Sequence, residues 1–178
     1  MTPPDIREES NYFFKMSAYQ EKLKDFYKRN PQVIQPDFYL REVMSFLDQP
    51  LEDLCIPRPT SRLEWGIPLP FDAKYVTYVW FDALLSYVGG VGFGTPEFRA
   101  DLWANSVHLL GKDILKTHAI YWPTMLMALG LEPFRRLQVS GFLPTPGMKM
   151  RTSLGNVVDP LAVNERFVIA PPRYFLLT

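Results

Sequence analysis

From about residue 58 onwards, short runs of branched and aromatic residues alternate with stretches that carry apolar residues at helical spacing. The runs are Tyr75–Phe81, Val107–Leu110 and Leu137–Phe142, and the helical stretch Ile114–Leu129 connects the last two. This alternation is typical of a parallel sheet with crossover helices, whose strands are apolar because helices cover both faces. The pattern therefore predicts an α/β fold for this part of the chain.

The first part of the chain has a different pattern and predicts a pair of helices over residues 1–53. Ser17, with Gln20 three positions later, has the form of a capping box and predicts a helix over about residues 18–29. Asp37 predicts the start of a second helix. Prolines at 57, 59, 68 and 70 then predict a connector of extended backbone over residues 54–73, because proline disrupts helix interiors and central strands.

Composition excludes several classes of protein. The 19 basic and 19 acidic residues cancel, so any contact with a polyanion must be local. The single Cys55 permits no internal disulfide and too few thiols for a zinc site, which predicts a reducing, cytoplasmic location and no zinc ligands. The mostly apolar stretch Ala119–Leu131 is shorter than the roughly 20 residues of a membrane span, so no membrane association is expected.

Gly111, Lys112 and Asp113 directly follow a predicted strand, at the edge where open α/β sheets bind ligands. A carboxylate here can accept hydrogen bonds from ribose hydroxyls, or it can cap the following helix. His118 lies in that helix among apolar residues, as either a hydrogen-bonded core residue or a ligand. Both alternatives stay open for Asp113 and for His118. His108 lies inside a predicted strand and is interpreted as a structural residue.

Two further groups suit ligand binding but also have ordinary structural explanations. Trp80, Ala83 and Tyr87 are spaced so that an indole, a small residue and a phenol could surround one cavity, or could simply pack in the core. Lys149 and Arg151 follow Gly147 in a loop and could reach phosphates, or remain solvated. Asp159 before Pro160 predicts the start of a last helix.

Several motifs then occur in one order along the chain. They are WGIP at 65–68, YVWFDA at 78–83, GKDI at 111–114, HAIYWP at 118–123, GFL at 141–143, KM at 149–150 and LGNVVDP at 154–160. In that order and spacing they resemble the methionyl-tRNA synthetases, a family of class I aminoacyl-tRNA synthetases. The resemblance covers nearly the whole chain and implies the second half of a Rossmann-like catalytic domain.

The resemblance also implies a domain organisation. Residues 1–57 correspond to the helical end of the family's connective insertion, and 58–160 to the second half of the Rossmann catalytic domain. Residues 161–178 correspond to the start of the helical region after the catalytic loop. The first Rossmann half, the zinc-bearing region and the anticodon-binding helices have no counterpart in the 178 residues.

The family's functional residues transfer to matching positions of this sequence. The implied methionine pocket consists of Trp80, Ala83, Leu84, Tyr87, Ile114 and His118. The implied ATP-binding residues are Gly111, Asp113, Gly141, Phe142, Leu143 and Lys149. The implied catalytic residues are Lys149, Arg151 and Arg58, which would stabilise charge on the phosphates as the methionine carboxylate attacks.

By resemblance, the function is methionine–tRNA ligation: ATP, with its Mg²⁺, activates methionine, which is then transferred to tRNA. Thr152 stands where the family has the second lysine of its mobile loop, and half of a nucleotide crevice binds weakly, so we expect little activity from this chain alone. The alternative is a non-catalytic relative that binds tRNA, a small ligand or a protein partner. An uncovered sheet edge also predicts self-association, or association with an N-terminal half.

Overall fold

The computed structural model describes residues 11–142, 144–145, 148–150 and 155–177. The chain forms two compact units, Met1–Ser140 and Gly141–Thr178. The helices of the first unit are α1 Gln20–Arg29, α2 Asp37–Leu47, α3 Val79–Gly89, α4 Ala100–Ala104 and α5 Trp122–Ala128. Its strands are β1 Phe13–Phe14, β2 Ile34–Gln35, β3 Leu54–Cys55, β4 Pro57–Pro59, β5 Pro68–Leu69, β6 Asp72–Thr77, β7 Val107–Gly111 and β8 Arg136–Ser140.

A parallel sheet with the strand order β2-β8-β7 organises the first unit. The two long strands, β7 and β8, lie where the apolar runs predict them. The expected α/β fold with a parallel sheet is therefore confirmed. Strand β2 was not expected, because two residues, Ile34 and Gln35, are too few to show any alternation; Ile34 pairs with Leu137, and both are completely buried.

The expectation that these strands are covered on both faces is wrong. Residues of β7 alternate strictly: His108 and Leu110 are buried, whereas Val107 and Leu109 are 49% and 80% exposed. Helices of this unit cover one face of the sheet, so the side chains on the other face of β7 contact solvent.

The run Tyr75–Phe81 does not form a buried parallel strand as expected. Strand β6 ends at Thr77 and pairs antiparallel with β4 and β5 in a separate sheet. Trp80 and Phe81 belong instead to the first turn of α3, which also carries Asp82, a favourable charge at a helix N-terminus. One apolar run thus covers the end of a strand and the start of a helix, and its aromatic content concealed the boundary.

Helices α1 and α2 form where the sequence predicts them, but the predicted capping box does not. A 3₁₀ turn, Met16–Tyr19, precedes α1, so Ser17 is not at the N-cap position. The Gln20 side chain instead donates to the carbonyls of Leu47 and Gln49 and accepts from the Leu51 amide, which ties the start of α1 to the end of α2.

The helical stretch Ile114–Leu129 is interrupted. A 3₁₀ turn at Lys112–Ile114 and a π-helical turn at Thr117–Tyr121 precede α5. Pro123 explains part of the irregularity, because it has no N–H to donate to the carbonyl four residues back, that of Ala119. The hydroxyl of Tyr27 donates to this carbonyl at 2.6 Å, so a residue of α1 replaces the lost helical bond.

The described residues of the second unit form a hairpin and two helices. Strands β9, Pro144–Thr145, and β10, Met148–Lys149, pair antiparallel. The helices are α6 Pro160–Phe167 and α7 Ala170–Leu177. The Asp159 carboxylate accepts from the Leu161 amide at 2.9 Å, which confirms the predicted helix start. Within the described ranges, no helix is long and apolar enough to cross a membrane.

Candidate functional site

Helix α3 and the segment after β7 bring three of the predicted pocket residues together. The Tyr87 hydroxyl lies 3.1 Å from His118 Nε2. The ring of Trp80 meets the His118 ring edge-to-face, with 6.1 Å between centroids, and the Tyr87 and His118 centroids are 5.9 Å apart. An indole, a phenol and an imidazole therefore form one cluster, although they come from sequence positions up to 38 residues apart.

The hydrogen bonds of His118 determine its tautomer. His118 Nδ1 lies 3.0 Å from the carbonyl of Ile114, which can only accept, so Nδ1 carries the proton. Nε2 of the neutral ring is then an acceptor and takes its hydrogen bond from the Tyr87 hydroxyl. Burial lowers the pKa of His118 below its ordinary value, against an opposing effect of the bond to Ile114. The ring is thus neutral at pH 7.

The other predicted pocket residues surround this cluster in different ways. Leu84 is 1% exposed and packs in the core, whereas Ala83 lies on the exposed side of α3. Ile114 is half-buried and contributes its carbonyl to His118. Trp80 is also half-buried and Tyr87 is 40% exposed, so the cluster contacts both core and solvent.

Asp113 and Gly111 lie at the carboxyl end of β7. Asp113 is inside the 3₁₀ turn, whose N-cap residue is Gly111, so the alternative in which Asp113 caps the helix is wrong. Its carboxylate folds back over Gly111: a Cβ atom at position 111 would lie only 2.7 Å from Asp113 Oδ1. Glycine at 111 therefore permits this carboxylate position, and Asp113 remains exposed at the edge where parallel sheets bind ligands.

Arg58 lies on β4, opposite Val76 of β6. Its guanidinium donates to the carbonyl of Pro57 at 2.9 Å and lies 4.6 Å from the centre of the Tyr78 ring. These contacts hold the side chain beside the last residue before α3, the helix that carries Trp80 and Tyr87.

The remaining predicted residues lie in the second unit. Leu143 and Arg151 are outside the described residues. Lys149 lies in β10, and Gly141 and Phe142 are both exposed.

Sequence reasoning missed two residues of the cluster, His108 and Trp122. His108, interpreted from sequence as a structural strand residue, is 7% exposed and accepts a hydrogen bond from Trp122 Nε1 at 3.4 Å. Its ring centroid lies 4.4 Å from that of Tyr87. Burial, and secondarily the proximity of His118, lower the pKa of His108 to about 4. The spacing of Trp122, one helical turn after His118, is the signal that could have identified it.

A cavity of about 270 Å³ adjoins this cluster on the first unit. It is lined by Tyr87, Val91, Leu102, Trp103, Ser106, Val107, His108 and Leu109. In the part of the chain that the structure describes, no group of three or more His, Cys, Asp or Glu side chains could hold a metal ion.

A parallel sheet with ligand-type residues at its carboxyl edge is the arrangement of the Rossmann-like class of α/β domains. The sequence matches the family of class I (M) tRNA synthetases over residues 1–178, and the chain belongs to that family. The family expected from the motifs is therefore confirmed.

Known proteins of this family align with nearly the whole chain. A methionine–tRNA ligase of Brucella suis is 45% identical over 177 residues, which are 99% of this chain and 34% of that protein. A mitochondrial methionine–tRNA ligase of Bos taurus is 42% identical, over 98% of this chain and 29% of that protein. The chain thus spans about a third of the length of the curated relatives it matches.

Solved structures give the same result. The Mycobacterium tuberculosis methionyl-tRNA synthetase in complex with methionyl-adenylate superposes with a TM-score of 0.85 at 44% identity, over 96% of this chain and 34% of that one. The apo form of the protein from the same organism superposes with a TM-score of 0.82 at 40% identity, over 96% of this chain and 32% of that one. The expected half of a Rossmann-like synthetase domain is confirmed by this similarity.

Proposed function

We propose that the first unit of this chain forms one wall of a binding site for methionyl adenylate. The observation that carries the proposal is the cluster of Trp80, Tyr87 and His118, in which the phenol donates to a neutral imidazole. A thioether is polarisable and weakly polar, and it packs favourably against aromatic edges. A neutral histidine suits such a side chain because a charged ring would require solvation that an apolar group cannot provide.

The adenylate half of the ligand would bind at the carboxyl end of β7. The exposed carboxylate of Asp113 would accept hydrogen bonds from the ribose hydroxyls, and Gly111 leaves room for that carboxylate. Gly141, Phe142 and Leu143 would border the adenine. The choice of ligand is supported by a structural relative that is in complex with methionyl-adenylate.

In the complete reaction the methionine carboxylate attacks the α-phosphate of ATP and pyrophosphate leaves, after which the methionyl group passes to a tRNA hydroxyl. Arg58, Lys149 and Arg151 are the cations of this chain that we assign to stabilising the phosphate charge. Mg²⁺ enters with ATP as part of the substrate. We place the reaction in the cytoplasm, although some relatives are mitochondrial.

A polypeptide of these 178 residues should not perform activation at ordinary enzyme rates. It spans about a third of its relatives, so one wall has to provide contacts that two walls provide in a complete crevice. Thr152, in place of a lysine, also removes a cation from the phosphate site. The same substitution favours the second candidate function, a non-catalytic relative that binds tRNA, a small ligand or a protein.

Calorimetric titration with a non-hydrolysable methionyl-adenylate analogue tests the proposed site. We expect saturable binding that Tyr87→Phe weakens and that Tyr39→Phe, which changes the same residue type on α2, leaves unchanged. Equal binding by both variants, or no binding by the unmodified chain, would contradict the proposed wall. Methionine-dependent ATP–pyrophosphate exchange, expected to be absent, distinguishes a fragment-like binder from an active enzyme.

A further inference from the structure

The proposed function gives no role to the polar imidazole ring of His108. It lies on β7, where side chains alternate between the two faces of the sheet. Its ring is on the buried face, and Val107 and Leu109 on either side are exposed. Its ring is surrounded by other rings: the centroids of Tyr87, Phe134, Trp103 and His118 lie at 4.4, 5.2, 6.1 and 6.2 Å. A polar ring inside an aromatic cluster costs free energy unless its nitrogens have partners.

The partner of His108 determines the protonation of its ring. The indole Nε1 of Trp122 can only donate, and it lies 3.4 Å from His108 Nε2. Nε2 must therefore be unprotonated, and the neutral ring carries its proton on Nδ1. The low pKa of His108 agrees with a ring that stays neutral at pH 7. Trp122 is completely buried, so its N–H depends on this acceptor.

The same two side chains also contact Tyr87. The Tyr87 ring packs against His108 at 4.4 Å and against Trp122 at 5.9 Å between centroids. The Tyr87 hydroxyl in turn reaches His118 Nε2 at 3.1 Å. A continuous series of contacts therefore leads from the Trp122–His108 hydrogen bond, through the Tyr87 ring, to the imidazole of the proposed methionine pocket.

We propose that His108 is a positioning residue for this pocket. By accepting from Trp122 and packing on Tyr87, it holds the phenol where its hydroxyl donates to His118. Together with the Ile114 carbonyl at Nδ1, this donor at Nε2 keeps His118 as the Nδ1–H tautomer, with Nε2 as an acceptor. The link to methionine binding depends on the proposed function, but the effect on the His118 tautomer does not.

The test compares variants of the whole chain by ¹⁵N NMR of its two histidines, whose ring nitrogens report the tautomer directly. His108→Leu removes the acceptor and keeps an apolar side chain, whereas His108→Gln keeps an acceptor. Phe134→Leu alters another buried neighbour of His108 and serves as the matched control. Affinity for the methionyl-adenylate analogue is measured on the same samples.

We expect both histidines of the unmodified chain to be Nδ1–H tautomers. His108→Leu should mix the tautomers of His118 and weaken analogue binding about five-fold, and His108→Gln should recover most of both. Phe134→Leu should lower thermal stability without changing the His118 signals. A purely structural role predicts the same stability loss for His108→Leu with unchanged tautomer and affinity, which would overturn the proposal.

Two further outcomes are decisive. An Nε2–H tautomer of His118 in the unmodified chain overturns the proposal without any variant, so a His108→Leu chain that fails to fold does not prevent a decision. If the unmodified chain binds no analogue while the tautomers respond as expected, the proposed function fails and the positioning role of His108 stands.

Discussion

Acidification should destabilise this chain well above the pH at which its carboxylates are protonated, because both of its histidines are buried and neutral. The pKa of His108 is about 4 in the folded chain, whereas the ordinary value is 6.5. At about pH 5 the unfolded histidine is almost fully protonated, and the folded one is only about one-tenth protonated. The unfolded chain therefore binds more protons, and acid favours it.

The magnitude follows from this difference in proton binding. Between about pH 7 and about pH 5, His108 should lower the free energy of unfolding by about 2 kcal/mol. His118 adds a contribution of the same sign, because its folded pKa is also lowered. This stability is fully present above the unfolded pKa and is lost as the pH falls towards the folded pKa values.

Carboxylates act in a lower range of pH. The pKa of Asp101 is lowered to about 2, chiefly by the hydrogen bond from Arg99, and those of Asp53 and Glu97 are lowered by hydrogen bonds with Ser17 and Thr95, respectively. Their contributions are present above their unfolded pKa values and are lost below about pH 4.5. The interval between pH 7 and pH 5 therefore reports mainly on the histidines.

Urea unfolding at a series of pH values measures the effect, with His108→Gln as the comparison. The variant should lose about 2 kcal/mol less than the unmodified chain over this interval, keeping only the contribution of His118. Equal pH dependence in the two chains, or a free energy of unfolding that does not change between pH 7 and pH 5, would refute the assignment of a buried, neutral His108.

Three further predictions concern side-chain contacts within the chain and self-association between chains. Gly66→Ala should destabilise the chain by about 1–3 kcal/mol in urea unfolding, because the new Cβ would lie 2.8 Å from Cβ of Val76 on β6; an unchanged midpoint would contradict this close approach. Tyr27→Phe should cost about 1–3 kcal/mol by the same assay, since it leaves the buried Ala119 carbonyl without its donor, and a neutral effect would mean that another group satisfies it. Leu109→Lys should reduce self-association in sedimentation velocity, because Leu109 is 80% exposed on β7; an unmodified chain that is already monomeric would refute this prediction.

The sequence correctly predicted the helices and strands whose pattern lies within their own residues. Strand β7 lies in a short, mostly apolar run and β8 overlaps the predicted run Leu137–Phe142, α1 and α2 have regular apolar faces, and Asp159 before Pro160 starts a helix through its own carboxylate. Each of these signals lies within the element it predicts. The ordered motifs were likewise sufficient to identify the family.

Other features depended on contacts between distant segments. The two-residue strand β2 exists because β8 pairs with it. The irregular helix before α5 is completed by a hydroxyl from α1, ninety-two residues away in sequence. The junction of β6 and α3 was hidden because its aromatic residues suit both a strand and a helix buried on one side.

The candidate site shows the same division. Spacing along the chain grouped Trp80 with Tyr87, and motif order added His118, but the hydrogen bond between phenol and imidazole joins two elements and could only be seen in the fold. His108 was interpreted as structural because a lone histidine in a strand has no spacing partner. Its relation to Trp122 and Tyr87 is a tertiary contact.

The most direct test of the central claim is NMR of the chain during titration with the methionyl-adenylate analogue, with a leucyl-adenylate analogue as the comparison. The account predicts that the methionyl compound shifts the indole N–H signal of Trp80 and the ring signals of His118, and that the leucyl compound does so much more weakly. Unchanged signals at both residues, or equal shifts with the two compounds, would contradict the claim that this cluster recognises a methionine side chain.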